Sequence, residues 1–261
     1  MILGIDIGPY ITVTDFNVMK AGGVEFCIIK LTQGNSITNK KAADEAKRAK
    51  DAGMIVGLYH WCDPIKTPDA YQVDFFLSKA YGLPYDFVAA DVEQYWASWL
   101  EWPNNITSIL SPTRIENNAR TILEEMKASQ SKPVVIYTRK SFIDDYARGM
   151  LTWINQWPIW AARWLYNAGN VATNWQTVRT FYMPQADTSL IWPVNPKSWF
   201  WQWSGDRFRC PGADIAIDMN LFLGTLDELK AKLGMTQQPA PALTLEQKVE
   251  QMWQDYLERK A

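Results

Sequence analysis

The amino-acid sequence predicts an α/β protein, a barrel related to (β/α)8 that becomes irregular in its second half and carries a short C-terminal helical tail. Short apolar runs alternate with longer amphipathic stretches, the rhythm of a parallel sheet with crossover helices. Eight or so such runs occur, with helical stretches between the early ones and fewer between the late ones. The chain has 261 residues, 48% of them hydrophobic, enough to bury one large core.

Five runs open the pattern: "ILGIDI" at 2–7, "VEFCIIKL" at 24–31, "MIVGLYHW" at 54–61, "DFVAAD" at 86–91 and "PVVIYT" at 133–138. Helical periodicity falls between them, at 39–52, 68–81, 114–129 and 141–150. Further strands are expected at 157–164, 181–185, 199–204 and 213–220, followed by a short helix at 226–233. Residues 165–198 lack periodicity and read as long loops around one strand. The barrel is expected over 1–234, and 235–261 reads as a proline-containing linker and an amphipathic helix. In that tail Leu245, Val249, Met252 and Tyr256 follow helical spacing, so the 244–260 helix either packs on its own chain or drives self-association.

Composition excludes several classes. With 26 basic and 28 acidic residues there is no basic stripe to neutralise phosphates, so nucleic acid is not an expected partner. No run reaches the roughly 18 to 20 apolar residues of a membrane span, and the N-terminus lacks the charged and apolar regions of a signal peptide. Cys27, Cys62 and Cys210 are odd in number and far apart, which favours buried free thiols over disulfides or a metal site. The only histidine, His60, cannot form a metal cluster and reads as a packed strand residue whose neighbour Tyr59 points to the opposite face. No cofactor is expected.

Four acids fall at or near strand ends: Asp6, Asp91, Glu93 and Asp218. On an extended chain Asp91 and Glu93 point the same way with Cα atoms roughly 6.5 to 7 Å apart, so both carboxylates can face one ligand. Like charges so close tend to raise the pKa of one and leave the other ionised, the division that glycoside hydrolysis requires. The bland alternative is that strand ends carry acids because the next residues meet water. Fourteen Trp and eleven Tyr are many for this length, about half of them expected in core packing and the rest available to line a sugar-binding groove. Tyr59, Trp61, Tyr95, Trp96, Tyr137, Trp164 and Trp203, all near strand ends, are the candidates to stack on sugar rings, with core packing as the alternative for each.

The motifs "GIDIGPY" at 4–10, "GVEFCIIKLTQG" at 23–34, "AGMIVGLYHW" at 52–61, "FVAADVE" at 87–93, "PIWAARW" at 158–164, "FWQWS" at 200–204 and "IDMN" at 217–220, in this order, resemble glycoside hydrolase family 25, the Chalaropsis-type lysozymes and phage endolysins. The resemblance implies a flattened, irregular TIM-like barrel that cleaves the β-1,4 bond between N-acetylmuramic acid and N-acetylglucosamine in bacterial peptidoglycan. It implies Glu93 as general acid, Asp91 acting on the substrate 2-acetamido group or the charged transition state, and Asp6 and Asp218 completing an acidic floor. Neighbouring-group participation and an inverting route both remain open. The missing signal-peptide pattern fits an enzyme held in the cytoplasm of the producing bacterium, phage-infected or not, and acting on the wall after release, and it fits a virion component nearly as well. Gly8 stands where the family commonly has Ser. A chitinase-like barrel with the pattern D-G-x-D-x-D-x-E would require Gly and Asp where Phe87 and Ala89 stand. A non-catalytic glycan-binding or virion protein on the same barrel is the alternative of another class, disfavoured by the cost of a buried acidic cluster.

Overall fold

The computed structural model describes residues 1–65, 68–95, 110–166, 174–183 and 198–235. Among these residues eight strands close a barrel, in the order β1-β9-β8-β7-β6-β5-β4-β2, with β2 returning to β1. The elements run β1 (Ile2–Ile7), α1 (Phe16–Ala21), β2 (Val24–Gln33), β3 (Ile37–Thr38), α2 (Ala42–Asp51), β4 (Ile55–Trp61), α3 (Ala70–Ala80) and β5 (Phe87–Asp91). Then follow α4 (Pro112–Ser129), β6 (Val134–Thr138), α5 (Lys140–Tyr146), β7 (Ile159–Tyr166), α6 (Trp175–Thr177), β8 (Ser198–Arg209), β9 (Ala216–Phe222) and α7 (Leu226–Lys232). Among the described residues the two-residue β3 pairs only with the end of β2.

Strands β1, β2 and β4 to β8 are parallel, whereas β9 runs antiparallel to both β8 and β1. That reversal corrects the reading of Asp218 as a C-terminal strand residue. It lies early in β9, directly opposite Asp6 of β1, and so reaches the same barrel end from the other direction.

The two faces of each strand follow the two-residue alternation. Outward side chains such as Cys27, Ile29, Val56, Leu58, Val88 and Ala90 pack in one cluster with Ala46 of α2, Phe76 of α3 and Ile122 of α4. Inward ones, including Phe26, Ile28, Phe87, Ala89, Phe200 and Phe222, fill the barrel, and Leu229 of α7 joins them. Phe87 and Phe200 stack at 5.2 Å with Phe26 tilted on Phe200 at 5.1 Å, making an aromatic plug below the polar layer. Two inward glycines make room for it: a Cβ on Gly4 would lie 2.2 Å from the Phe26 ring, and one on Gly57 2.4 Å from Phe87.

Helix ends follow local chemistry. Asp15 caps α1 through Asn17 and Val18 amides, Ser111 caps α4 ahead of Pro112, and Thr225 and Glu228 form a capping box on α7. The helix α1 is absent from the sequence reading because six residues give too little periodicity to stand out beside Gly22 and Gly23. The expected strand at 181–185 is corrected as well. Val178–Tyr182 is a π-helical turn continuing α6, started by the Asn174 cap, with Phe181 exposed to solvent. Residues 184 and 185, and the expected tail helix, lie outside the described residues.

All three cysteines are buried free thiols. His60 is fully buried on the outer face, its Nδ1 2.8 Å from Thr32 Oγ1 and its Nε2 3.3 Å from Gln72 Oε1. Burial lowers its pKa to about 4, so it is a neutral packing residue.

Replacing Gly4 with Ala should overpack the plug. We expect a loss of about 1–3 kcal/mol in urea unfolding with the secondary structure retained; an unchanged midpoint would mean that Phe26 yields freely.

Candidate active site

Inward parity brings the acids together. Asp6 ends the inward series of β1 and faces Asp218 across the β1–β9 ladder. Asp91 closes β5, and the extended backbone continues one step further, Val92 N–H donating to Tyr137 O at 2.9 Å. Val92 therefore points out into the helix-facing core, and Glu93 returns to the barrel side with Asp91.

One amide holds much of this layer. Gln202 Nε2 donates to Asp6 Oδ1 at 2.9 Å and to Asp218 Oδ2 at 3.1 Å. Its Oε1 accepts from Tyr137 Oη and from Trp164 Nε1, each at 2.8 Å. An indole N–H can only donate, so Trp164 dictates which end of the amide faces the acids. Asn220 is oriented in the same way: Trp160 Nε1 donates to its Oδ1 at 2.7 Å, and its Nδ2 donates to Asp6 Oδ1 at 2.7 Å. Asp218 also accepts the backbone N–H of Asp206 at 2.8 Å. Asp206 sits at φ +33°, where the β8–β9 register breaks, and the bulge turns its amide onto the carboxylate.

Burial governs the protonation of all four acids. It lifts Asp6 to about 6 against the pull of the Asn220 and Gln202 hydrogen bonds. It lifts Glu93 to about 7, opposed by the positive charges of Arg139 and Lys30. Asp91 is raised by burial and then by Glu93, while Lys30 opposes, and Asp218 is raised by burial and then by Asp6. The expected split of one protonated and one ionised carboxyl is therefore not made by repulsion alone; burial moves both members of the 91/93 pair upward. Asp91 is only 4% exposed, and its Oδ1 has no hydrogen-bond partner among the described residues.

The aromatic candidates separate. Trp164 is 43% exposed and Tyr59 and Trp61 are partly open. The Tyr59 ring stands edge-on to Trp160 at 6.0 Å, and its hydroxyl is pushed up by burial and by all four carboxylates. Tyr137 is nearly buried on Trp160, ring centroids 4.5 Å apart, and its proton is committed to Gln202 rather than to a substrate carbonyl. Two calls need correction. Trp203 is 0% exposed and packs against Tyr166 and Phe208, because Gln202 points inward and its neighbours must point out. Tyr95 is 4% exposed, edge-on to Trp61 with its hydroxyl beside Gly34, so it buttresses Trp61 instead of presenting a face. Trp96 lies outside the described residues.

Several site residues were missed by sequence reasoning. Gln202 and Asn220 are polar positions within "FWQWS" and "IDMN", and their i, i+2 relation to inward neighbours was the available signal. Lys30 follows Phe26 and Ile28 on the inner face; its Nζ lies 4.0 Å from the Trp61 ring centre and donates to Gln33 Oε1 at 2.8 Å. Burial lowers this ammonium to about 8, with Asp91 and Glu93 opposing the fall. A lysine inside an apolar strand was its signal. Arg139, directly after β6, donates to Gln94 and stands in the field of Glu93. A Cβ at Gly8 would meet nothing within 4 Å, so the serine common at that position would fit without rearrangement.

A closed α/β barrel whose mouth gathers four carboxyls, those of Asp6 and Asp91 buried and those of Glu93 and Asp218 partly open, beside open aromatic rings, with Glu93 raised to about 7, is the arrangement of a glycoside hydrolase. Residues 5–209 match the glycosyl hydrolases family 25, and the chain belongs to that family. It is 24% identical over 237 residues to Lysozyme M1 of Streptomyces globisporus, covering 89% of this chain and 71% of that protein. The fold is that of a bacterial lysozyme from Streptomyces coelicolor, at TM-score 0.68 and 24% identity over 90% of this chain and 98% of that one. A muramidase from Acremonium alcalophilum superposes at TM-score 0.66 with 25% identity, covering 90% of this chain and all of the other.

Gln202→Leu should strand the Asp6 carboxylate and the Trp164 and Tyr137 donors. We expect at least about 2 kcal/mol lost in denaturant unfolding and glycosidase activity lost with it. Trp203→Phe, by contrast, should cost about 1–2 kcal/mol of core packing and leave the KM for wall substrate unchanged, since its ring faces no groove.

Proposed function

We propose that this chain is a muramidase that hydrolyses the β-1,4 bond between N-acetylmuramic acid and N-acetylglucosamine in peptidoglycan, with Glu93 as the general acid. The observation that carries the reading is the Glu93 carboxyl, on the same barrel face as Asp91 and held at about 7, protonated yet able to give up its proton near neutral pH. Relatives named lysozyme and muramidase point to the same substrate.

In this reading Glu93 delivers its proton to the glycosidic oxygen as the bond to the anomeric carbon breaks. Asp91 Oδ1, buried and without a partner among the described residues, receives the N–H of the 2-acetamido group and holds it against the developing positive charge. Asp6 is positioned through Gln202 and Asn220 and Asp218 through Gln202, so that both present fixed polar groups to the groove without moving. Water supplies the hydroxyl of the new reducing end and restores the proton to Glu93.

Glu93→Gln should abolish clearing of purified cell walls while the circular dichroism spectrum stays that of the parent; lysis at the parental rate would remove Glu93 from the role. New reducing ends should be muramic acid, and N-acetylglucosamine ends would mark a glucosaminidase instead.

The proton on Glu93 also links activity and stability to pH. Activity should fall as pH rises through about 7, where the acid loses its proton. The folded carboxyl keeps that proton above the ordinary 4.5 at which an unfolded Glu releases it. The stability this contributes is present at acid pH and lost as pH rises through 7. Glu93→Gln should therefore be more stable than the parent at pH 8, by on the order of 2 kcal/mol, with the gain gone at pH 4 in paired thermal melts.

A further inference from the structure

Beside the acidic layer, between the ends of β6 and β7, lies an open cleft of about 400 Å³ lined by Tyr137 and Trp164 and by Arg139, Lys140 and Arg163. Among the described lining residues there are three cations and no carboxylate. This inverts the charge of the neighbouring layer, where four carboxyls crowd together. The cleft and the acids are mechanically joined, because Tyr137 and Trp164 both donate to the Gln202 amide that holds Asp6 and Asp218. They are electrically joined as well, because Arg139 acts on Glu93.

The backbone has an irregularity at this point. Ala162 pairs with Gln202, but the next β7–β8 partners are Tyr166 and Ser204, four residues on against two. Strict alternation would send Arg163 to the opposite face from Ala162 and Trp164. The bulge lets all three line one cleft. Arg139 is partly buried, its hydrogen bond to Gln94 goes to a neutral amide, and its Nε has no partner among the described residues, although Glu93 stands in its field. Lys140 pairs with Asp144 one helical turn away, an exposed contact that contributes little.

We propose that this cleft is a subsite for a carboxylate carried by the glycan, and that it selects charged wall strands over neutral chitin-like ones. The inference rests on the muramidase reading for the register of the sugar chain. A muramic acid unit differs from N-acetylglucosamine by a lactyl ether, which ends in a carboxylate when bare and in an acidic peptide stem when substituted. A neutral N-acetylglucosamine oligomer has neither. Guanidinium groups suit this ligand, since they meet carboxylates through paired donors, and Trp164 offers an apolar face to the adjoining ring.

Binding rather than turnover gives the test. The full-length Glu93→Gln protein is titrated with a stem-free wall tetrasaccharide, the same molecule with its lactyl carboxyls amidated, the same molecule carrying peptide stems, and an N-acetylglucosamine tetramer. A carboxylate probe should bind about tenfold more tightly than the amidated and neutral ones, as one charge-assisted contact allows. Adding Arg163→Gln and Lys140→Gln should erase that preference while thermal melting stays unchanged. Preference for the stem-free acid identifies the lactyl carboxylate, and preference only for the stem-bearing probe identifies the stem; either supports the subsite when the double substitution erases it. Equal affinity for all four probes, or a preference that survives the double substitution, overturns it. Wall digestion by the parent is read in parallel. Intact digestion with no preference removes the subsite alone, whereas absent digestion with a preference that the double substitution erases removes the muramidase reading and leaves an anion site.

Discussion

The polar layer of this barrel depends on one saturated side-chain amide. Gln202 makes four hydrogen bonds, two as donor to Asp6 and Asp218 and two as acceptor from Tyr137 and Trp164, and so ties β1, β6, β7 and β9 to β8. No other side chain of similar volume could do this. A carboxylate would repel both acids, and an aliphatic chain would leave donors and acceptors buried without partners. The direction of the amide is not free either, because Trp164 can only donate. A substitution at any partner would therefore be felt at the acids, even where that partner touches no substrate.

The acids themselves are held at an energetic cost. Burial pushes all four carboxyls upward, and the two nearby cations, Lys30 and Arg139, offset only part of that for Glu93. Beneath the layer Phe26, Phe87 and Phe200 pack as a fully buried aromatic plug, apolar burial that acts against this cost. Burial is also what keeps the carboxyl of Glu93 near 7 instead of in the ordinary carboxylate range.

Much of the fold was legible because its signals are local. The βαβ rhythm, the helices at 42–51, 70–80 and 112–129, and the buried free cysteines all follow from runs of residue type. The misses have physical reasons too. A six-residue helix carries too little periodicity, and the aromatic stretch near 181 looks like a strand although an Asn cap upstream turns it into a helical continuation. Trp203 is the clearest case at the site. Nearness to a strand end suggested an open ring, but strand parity, once Gln202 is placed inward, sends the ring into the helix-facing core. Parity was available in the sequence; which parity faced inward was not.

The sequence by itself determined that this is a barrel-forming α/β chain with four strand-end acids and a family 25 motif order, since residue type and two-residue alternation are encoded locally. Only the tertiary structure decided that β9 runs backwards, and so sets Asp218 against Asp6 instead of at the far end of the barrel. It alone brought Gln202 and Asn220 to Asp6, from 196 and 214 residues away. It also placed Lys30 and Arg139 in the field of Glu93. Direction of pairing and long-range contact depend on closing the sheet on itself, and no local pattern carries that information.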